Sequence, residues 1–379
     1  MTGIINVQWF DNPGAVLLCY ALEQTVNKIV DDDVIVIDYA AGGGKSSNTI
    51  EKICKIPHKV KSKLLHNKYI SGVRYSELLV RRHELFEKFR KEKLNRTMQF
   101  KELNSPVLNG DFTHCIVGSD VVWKPEIADS SHAHVYFLDF GQDSMKRISY
   151  GASIGTEDLT VLKPLLKKYE KHLQNFDYIS VREHSAAEFI KDLAPVTVKK
   201  VADPVFLLKR EEYDKLADTV ERVTKEKYIF AYLLSYNESA ISQVKRIAEE
   251  KKCKIVYDLH TDENLKLVKA FGKDAIPMVD VGPLEFLSAI KNAECIISNS
   301  FHGTAFSLIF EKEFYTFGKV NKGIDISTRM SDLLDYLQLS DRYCKEEKIR
   351  TDSIDYNMVN EKITIMREDS LDFLKEALK

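Results

Sequence analysis

The chain has 379 residues, of which 44% are hydrophobic and 30% are charged, and it contains only 9 prolines and 16 glycines. This composition is typical of a soluble, ordered globular protein and excludes long disordered segments. Because one hydrophobic core rarely supports so many residues, the length predicts two domains of ordinary size.

The net charge is −2, but positive charge is concentrated in one stretch. Residues 58–96 contain 12 lysines and arginines against 4 glutamates, so the rest of the chain carries a net charge of about −10. Apolar residues recur at partly helical spacing among these cations, which predicts helices. Two interpretations stay open for them: a solvated surface, or a face that contacts an anionic membrane surface or a lipid-linked carrier. No nucleic-acid partner is expected.

No apolar run approaches the roughly 20 residues that a membrane-spanning helix needs. The N-terminal run M-T-G-I-I-N-V-Q lacks the basic start and cleavage site of a signal peptide. We therefore expect a cytoplasmic protein, which the basic stretch would bring to the inner face of the membrane. The 6 cysteines are scattered and form no C-x-x-C pair, which predicts reduced thiols and no metal site.

The N-terminal segment predicts a strand, a helix and a second strand. Residues 3–10 suit the first strand, Asn12 can cap the helix with Pro13 in its first turn, and Val34 begins the second strand. Asn12 and Gly14 would then lie at the carboxyl edge of a parallel sheet, where ligands bind.

The next run, Y-A-A-G-G-G-K-S-S, has glycines, Lys45 and Ser46 in the order of a phosphate-binding P-loop. That motif needs a glycine where Tyr39 stands, so the sharp turn around a phosphate is missing. The run therefore predicts a glycine-rich loop without P-loop geometry.

The run H-C-I-V-G-S-D-V-V-W-K-P predicts a buried strand that begins at His114 and ends at Gly118. Ser119, Asp120 and Trp123 follow its carboxyl end. Asp120 could simply cap a helix, but its position favours a sugar contact or a general base. Residues 136–153 predict two further strands joined by a polar turn.

The run D-Y-I-S-V-R-E-H-S-A-A predicts a strand, a turn and a helix that begins near Arg182 and Glu183. An arginine at the positive end of a helix is unfavourable unless an anion lies there. Its planar fork can bind a carboxylate or phosphate of a ligand in bidentate fashion. The alternative is a surface arginine paired with Glu183 or Asp177.

The second half of the chain repeats an alternation of strands and helices. A charged segment precedes a strand at Tyr228, and a helix at 238–251, a strand at 254–257, a helix at 283–291 and a strand at 294–298 follow. The predicted domains are 1–208, with the basic helical insert 58–96, and 209–352, followed by an amphipathic C-terminal helix within 353–379.

The run C-I-I-S-N-S-F-H-G-T-A-F-S-L-I-F begins at Cys295 and predicts a buried strand, a polar turn and a helix. It places His302 where the carboxyl end of the strand meets the first turn of the helix, and the backbone N–H groups there favour an anion. A histidine at this position could also be a cap or a packed ring. Arg329 lies at the start of a later predicted helix, where the same argument calls for an anion.

Several of these runs resemble the polysaccharide pyruvyl transferase family. They are S-N-S-F-H-G-T-A-F-S-L-I-F, G-S-D-V-V-W, S-Y-G-A-S and the segment around Arg329, and the resemblance spans about residues 4–340. The chain differs where some members have Arg-Leu-His, because here the run is Ser300-Phe301-His302. The N-terminal Asn-Tyr-Gly-Ala and glutamine that the family often shows are also altered, since this chain has Pro13 and Leu18 there.

The resemblance implies an α/β protein with two Rossmann-like domains that face each other across a cleft, as in GT-B glycosyltransferases. It implies transfer of the enolpyruvyl group of phosphoenolpyruvate to a sugar of a surface-polysaccharide repeat unit, which would be lipid-linked, with formation of a pyruvate ketal and release of phosphate. Phosphoenolpyruvate would be a co-substrate, and no other cofactor is expected.

Together, the residues and the resemblance assign roles to named side chains. His302 is the candidate acid and Asp120 the candidate base; Arg182, Arg329, Ser300, Phe301 and Gly303 would bind the donor, and Asn12, Gly14, Ser119 and Trp123 would bind the acceptor. Two alternatives stay open: a nucleotide-sugar glycosyltransferase, and a non-enzymatic sugar-binding component of a polysaccharide assembly complex.

Overall fold

The computed structural model describes residues 1–40, 69–261, 264–318, 320–321, 324–325, 328–344 and 352–379. The chain forms two compact units. The first comprises Met1–Lys61, Arg90–Leu207 and Thr364–Lys379, and the second comprises Ser62–Phe89 and Leu208–Ile363. Residues 41–47 of the predicted glycine-rich loop and residues 58–68 of the basic stretch lie outside the described residues.

The described strands are, in chain order, β1 (Thr2–Ile5), β2 (Val34–Val36), β3 (Tyr69–Ile70), β4 (Val73–Arg74), β5 (His114–Val117), β6 (Lys146–Ala152), β7 (Tyr178–Val181), β8 (Val198–Lys200), β9 (Tyr228–Tyr232), β10 (Lys254–Asp258), β11 (Ile276–Met278), β12 (Cys295–Ser298), β13 (Phe314–Phe317), β14 (Val320–Asn321), β15 (Ile324–Asp325) and β16 (Tyr343–Cys344).

The described helices are α1 (Pro13–Asn27), α2 (Tyr75–Lys93), α3 (Pro125–Ala128), α4 (Ala133–Tyr136), α5 (Leu159–Leu162), α6 (Leu166–Leu173), α7 (His184–Ile190), α8 (Arg210–Ala217), α9 (Glu238–Glu250), α10 (Leu265–Phe271), α11 (Pro283–Lys291), α12 (Phe301–Ile309), α13 (Thr328–Tyr336) and α14 (Tyr356–Ala377). None of these helices combines the length and the apolar character that crossing a bilayer requires.

The first unit is built on a six-stranded sheet in the order β2-β1-β5-β6-β7-β8, and its strand pairs are parallel. An extended segment continues the sheet beyond β2, because Val36 pairs with Arg96 and Tyr39 pairs with Phe100 in parallel fashion. The strand order reverses between β1 and β5, as in a Rossmann fold.

Both faces of this sheet are buried. Alternate residues of a strand point to opposite faces, so neighbouring residues of β1 show what covers each face. On β1, Ile4 belongs to a core cluster that also contains Leu374 of α14. Its neighbour Ile5 belongs to the opposite cluster, which contains Trp123 and Phe137. The apolar run that predicts a buried parallel strand is therefore explained by cores on both sides.

The second unit is built on a parallel sheet in the order β11-β10-β9-β12-β13-β16. Counted from β9, this is the Rossmann order, and it reverses between β9 and β12. Ile229 and Ala231 of β9 lie in one core cluster, whereas Tyr232 packs against Phe286 of α11 with ring centroids 4.8 Å apart. The predicted α/β class with two Rossmann-like units is confirmed.

Two segments depart from the predicted domain assignment. The start of α2, predicted as part of an insert in the first domain, belongs to the second unit because Tyr75 is buried with Ile229. The end of α14 belongs to the first unit because Leu374 is buried with Ile4. Each segment joins the core that covers its apolar side chains, which sequence spacing alone does not reveal.

The prediction of two strands within 136–153 is wrong. Only β6 forms there, and Tyr136 ends the short helix α4. The reason is aromatic packing, since the ring of Phe137 stacks on Trp123 with centroids 5.2 Å apart and an interplanar angle of 4°. The residues of the predicted first strand therefore pack their side chains into the core and form no strand.

The described part of the basic stretch is less basic at its surface than its composition suggests. Arg82 and Arg90 of α2 are 3% and 0% exposed. Arg90 donates to the carbonyl oxygens of Gln8 and Phe10 at 3.0 and 2.8 Å and pairs with Asp11 at 3.1 Å. These cations hold the fold together, so they are not available to an anionic surface.

Glu23 of α1 provides a pH test of this architecture. Its side chain is 1% exposed, and its Oε1 accepts a hydrogen bond from the backbone N of Asn95 at 2.7 Å, next to the edge segment that pairs with β2. Burial raises the pKa of the Glu23 carboxyl to about 7. The folded state therefore favours the protonated form of Glu23. The contribution of this carboxyl to the free energy of unfolding is fully present below about pH 4.5 and is lost as the pH rises through about 7.

We predict that Glu23→Gln, which keeps the acceptor oxygen, raises the free energy of unfolding at pH 8 by on the order of 2–3 kcal/mol and leaves it nearly unchanged at pH 4.5. Urea unfolding at the two pH values measures both quantities. The exposed Glu92→Gln serves as control and should change neither. An equal effect of Glu23→Gln at both pH values would show that the carboxyl does not titrate as described.

Candidate functional site

Two loops meet where the strand order of the second sheet reverses. They follow the neighbouring strands β9 and β12 and lead into α9 and α12. Asn299 joins them, because its Oδ1 accepts a hydrogen bond from the backbone N of Leu234 at 2.7 Å and its Nδ2 donates to the carbonyl O and Oγ of Ser235, both at 3.0 Å. Open α/β sheets bind ligands in the crevice at such a reversal.

The start of α12 is held against the sheet by short polar contacts. Ser300 caps the helix, and its Oγ accepts from the backbone N of Gly303. Ser298 Oγ donates to the carbonyl O of Tyr232 at 2.9 Å and accepts from the backbone N of Ser300 at 3.0 Å. A Cβ on Gly303 would overlap Ser298 Oγ, so only glycine lets the first turn lie so close to the strand.

His302 is the second residue of α12, immediately beyond the carboxyl end of β12, as the sequence predicted. Its side chain is 9% exposed, and its ring packs edge-on against Phe301 with centroids 5.4 Å apart and an interplanar angle of 87°. The imidazole thus lies at the positive end of a helix, where first-turn N–H groups favour an anionic ligand.

Arg329 is the second residue of α13 and is half-buried. Its helix begins next to α12, because Thr304 Oγ1 lies 4.0 Å from the sulfur of Met330. Thr304 Oγ1 also contacts Thr316 Oγ1 at the end of β13, at 2.7 Å. His302 and Arg329 are therefore on the first turns of two helices that pack together.

In the first unit, the loop after β5 has an unusual backbone. Gly118 has φ +131°, and a Cβ there would overlap the carbonyl O of Tyr150. Asp120 has φ +71°, a conformation that costs energy for a non-glycine residue and that is common at functional sites. Its Oδ1 accepts from the backbone N of Val121 at 2.9 Å, and its side chain is 14% exposed.

Arg182 lies within a cluster of carboxylates in the first unit. Its side chain is 4% exposed, and its Nη1 donates to Asp203, which is itself fully buried. Its Nε lies 3.6 Å from Glu183, and its Nη2 lies 3.9 Å from Asp120. Burial disfavours the charged guanidinium, but the three carboxylates keep the pKa of Arg182 above its usual value. The anion that the sequence called for is supplied by the protein itself.

The predicted acceptor residues fall into two groups. Asn12 caps α1, accepting from the backbone N of Ala15 at 3.2 Å, and Gly14 is buried in the first turn. Ser119 and Trp123 have no exposed surface. Ser119 Oγ donates to the carbonyl O of Gly151 at 2.8 Å, and Trp123 Nε1 donates to that of Tyr136 at 2.9 Å. These two side chains fill the core in this structure, so an acceptor cannot reach them.

Sequence reasoning missed two features of the second unit. One is the bridging amide of Asn299, whose burial between two loops is not visible in a linear pattern. The other is the pair of Asp258, at the end of β10, with His260 two residues later. The signal in the sequence is the run Y-D-L-H, which ends the strand β10 and continues two residues beyond it. Within the described residues, no cluster of three or more His, Cys, Asp or Glu side chains is arranged to hold a metal ion.

A family model described as "Polysaccharide pyruvyl transferase" matches residues 12–318 of the chain. The chain belongs to the polysaccharide pyruvyl transferase family. The match includes the loop of Asp120, the strand and helix around Arg182, and the turn of His302. The family indicates polysaccharide pyruvyl transferase activity and a polysaccharide acceptor. A comparison with curated proteins found no match.

Solved structures similar to this family member include two UDP-GlcNAc 2-epimerases. The enzyme from Methanocaldococcus jannaschii is 13% identical over 97% of this chain and 92% of its own, with a TM-score of 0.46. The enzyme from Neisseria meningitidis is 10% identical over 100% and 94%, with a TM-score of 0.47. The E. coli ADP-heptose LPS heptosyltransferase II is 9% identical over 97% and 98%, with a TM-score of 0.41. Identities and TM-scores this low carry no indication of this chain's function.

We predict that Gly303→Ala destabilises the pyruvyl transferase by about 1–3 kcal/mol, because the added Cβ must push the first turn of α12 away from Ser298. The second variant Ser298→Gly removes the atoms that clash. In the double variant, part of the loss should be recovered, with a coupling energy above about 0.5 kcal/mol. Thermal or urea unfolding of the four proteins gives this energy, and strictly additive effects would contradict the close approach.

Arg182→Ala should cost about 3–5 kcal/mol of unfolding free energy, because it leaves Asp203 buried without its cation. Asp203→Asn should also destabilise the first unit. The exposed pair Lys191–Glu188 offers a control in the same unit, and Lys191→Ala should cost less than about 1 kcal/mol. A small loss for Arg182→Ala would mean that the carboxylate cluster does not stabilise the fold.

Proposed function

We propose that this protein transfers the enolpyruvyl group of phosphoenolpyruvate to a sugar of a surface-polysaccharide repeat unit, forming a pyruvate ketal and releasing phosphate. The observation that carries the proposal is the place of His302, at the first turn of α12 and at the reversal of strand order. An acid group and a set of N–H donors for anions coincide there, and the proposed reaction needs both.

The proposed reaction has definite chemical requirements. A proton must reach the methylene carbon of phosphoenolpyruvate, which makes the neighbouring carbon an oxocarbenium-like electrophile. A sugar hydroxyl attacks that carbon, phosphate leaves, and a second hydroxyl closes the ring. The protein must therefore supply an acid, positive or N–H groups for the phosphate and carboxylate, and a base for the hydroxyl.

His302 is the proposed acid. A helix N-terminus disfavours the imidazolium form, which by itself would make this histidine a poor proton donor. A bound donor with several negative charges reverses that effect, because nearby anions favour the protonated ring. His302 thus becomes a competent acid only in the complex with phosphoenolpyruvate, which limits proton loss to solvent.

The donor's anionic groups are proposed to bind at the first turns of α12 and α13. Ser300, Phe301 and Gly303 form the start of α12, at the positive end of the helix, and Arg329 supplies the cation. Some family members have an arginine directly before the Leu-His pair, where this chain has Ser300. Arg329 is proposed to provide that missing charge from the neighbouring helix.

The donor role that the resemblance implies for Arg182 stays a prediction. Its contacts with Asp203, Glu183 and Asp120 support a second role, in which it holds the strained loop of Asp120 in place. Phosphoenolpyruvate affinity separates the two roles. A donor clamp requires Arg182→Lys to lose affinity, whereas a role confined to the loop leaves affinity unchanged while stability falls.

The acceptor side is proposed to use the first unit, with Asn12 and Asp120 at the carboxyl edge of its sheet. A lipid-linked acceptor would bring the protein to an anionic membrane surface through the stretch 58–96. Because Arg82 and Arg90 are buried, the charge for that contact would have to come from the other cations of the stretch.

We predict that His302→Ala lowers the rate of phosphate release from phosphoenolpyruvate by at least about a hundredfold and weakens donor binding only moderately, since a general acid acts mainly in the transition state. Phosphate release and titration calorimetry measure the two effects. The exposed His83→Ala, in the same unit, is the control. If His302→Ala keeps more than about a tenth of the wild-type rate, His302 is not the acid.

Arg329→Ala should raise the dissociation constant of phosphoenolpyruvate by at least about thirtyfold, because it removes one partner of a charged pair. The exposed Arg74→Ala, also in the second unit, should leave the constant unchanged. Offering a UDP-sugar in place of phosphoenolpyruvate and measuring UDP release tests the glycosyltransferase alternative. UDP release without phosphate release would favour that alternative over the proposed reaction.

A further inference from the structure

A second histidine lies at the same edge of the second sheet as His302. Asp258 ends β10, and its Oδ2 contacts Nδ1 of His260 two residues later. The carboxylate is 3% exposed, whereas the imidazole is 16% exposed. Within the described part of the chain, Nδ1 is hydrogen-bonded in this way and Nε2 has no hydrogen-bond partner. The ring is therefore held from the inside through Nδ1.

A buried arginine stands behind this pair. Arg82 of α2 is 3% exposed, and its Nη1 lies 3.2 Å from Asp258 Oδ1 and 3.3 Å from the carbonyl O of Val279. Burial would raise the pKa of Asp258, but His260 and Arg82 hold it below its usual value, so the group stays a carboxylate. The positive charge of Arg82 balances the negative charge of the Asp258 carboxylate. Asp258 therefore orients the imidazole of His260, while Arg82 and Asp258 together have no net charge.

This arrangement has a specific chemical meaning. A carboxylate that accepts from Nδ1–H fixes the imidazole in the tautomer whose Nε2 can take a proton, and it then stabilises the imidazolium that forms. A hydroxyl nucleophile is activated by such a base when the two come within hydrogen-bond reach.

The sheet places the two histidines on either side of one strand. Val256 and Tyr257 of β10 pair with Phe230 and Ala231 of β9, and Ser298 of β12 pairs with Tyr232. Asp258 and Ser298 thus flank the end of β9 at nearly the same level, about 10 Å apart across two strand spacings. His260 and His302 follow these positions by two and four residues, respectively. Both histidines therefore follow strand ends that adjoin β9, at the edge of the sheet where ligands bind.

We propose that His260, oriented by Asp258, is the base that removes the proton from the sugar hydroxyl as it attacks the donor. This inference rests on the proposed pyruvyl transfer and adds a catalytic residue to it. The acid, His302, and the base, His260, are then both in the second unit. Asp120 fits the role of base less well, because Arg182 and the backbone N of Val121 both engage its carboxylate.

The proton balance of the reaction closes with these two histidines. His302 gives its proton to the methylene carbon, forming the C–H bond of the new methyl group, while the first hydroxyl oxygen bonds to the neighbouring carbon and passes its proton to His260. The carbon–oxygen bond to phosphate then breaks, and the phosphate leaves with the proton held by His260. The second hydroxyl closes the ketal, and its proton returns to His302. No oxidant or cofactor is consumed.

The test compares His260→Gln and Asp258→Asn with the wild type, with His302→Ala and with the control His83→Ala. Each protein is incubated with phosphoenolpyruvate and a panel of methyl glycosides of galactose, glucose, mannose and N-acetylglucosamine. Phosphate release gives the rate, mass spectrometry identifies the ketal, calorimetry gives the dissociation constant of phosphoenolpyruvate, and the thermal midpoint reports folding.

We expect His260→Gln to lose at least about a hundredfold in rate, with donor affinity and thermal midpoint unchanged, and added imidazole to restore part of the rate. Asp258→Asn should slow the reaction while sparing donor affinity, because the amide favours the wrong tautomer. If Asp258→Asn also unfolds more easily than the wild type, the rate of His260→Gln decides the role of His260, because that position is partly exposed. A loss below about tenfold, or a loss that follows donor affinity, overturns the role of His260.

The outcomes separate this inference from the function on which it rests. Ketal formation by the wild type, loss in His302→Ala and full activity in His260→Gln would overturn only the inference. Phosphate release from phosphoenolpyruvate by none of the proteins, with any acceptor of the panel, would overturn the proposed function and the role of His260 with it.

Discussion

The candidate site depends on one constraint, the close attachment of the first turn of α12 to the ends of β9 and β12. Asn299 bonds the two loops together, Ser298 ties the strand end to Tyr232, and Gly303 has no Cβ to keep the turn away. Without these contacts the helix start could tilt, and its N–H groups and His302 would no longer point to one place. The same attachment explains why a small polar run separates two apolar segments in the sequence.

Two arginines illustrate how a single sequence argument leads to different outcomes. Arg182 and Arg329 both stand near the beginning of a helix, where a cation calls for an anion. Arg182 finds that anion in Asp203 and is buried with it. Arg329 is half-buried on α13, beside the helix of His302. The two arginines therefore differ in burial, and burial is set by packing that a linear pattern does not contain.

Much of the fold could be predicted from periodicity and capping. The cap at Asn12 with Pro13, the helix Pro283–Lys291 and the strand and helix around His302 appear where the sequence places them. These elements depend on local rules, such as side-chain capping and alternating burial. Elements that depend on distant partners were harder to predict. Phe137 joins an aromatic stack with Trp123 instead of a strand, and α2 contributes to the second unit through Tyr75.

The residues of the candidate site also differ in whether their positions depend on local pattern or on distant partners. His302 could be predicted because a histidine after a strand and before a helix lies at the ligand edge of any Rossmann-like sheet. The burial of Trp123 could not be predicted, because it depends on packing against Phe137 and Phe176, which are distant in the chain. The Asp258–His260 pair was overlooked because its meaning comes from Arg82, which is 176 residues away from Asp258 in the chain.

The central claim is that phosphoenolpyruvate binds at the first turn of α12. Hydrogen exchange of backbone amides, followed by mass spectrometry with and without the ligand, tests this claim most directly, because a ligand that accepts from first-turn N–H groups slows their exchange. Peptides that contain Asn299 to Thr304 should exchange more slowly when phosphoenolpyruvate is added and should be unaffected by UDP. Unchanged exchange in these peptides at saturating phosphoenolpyruvate, or protection by UDP instead, would contradict the account.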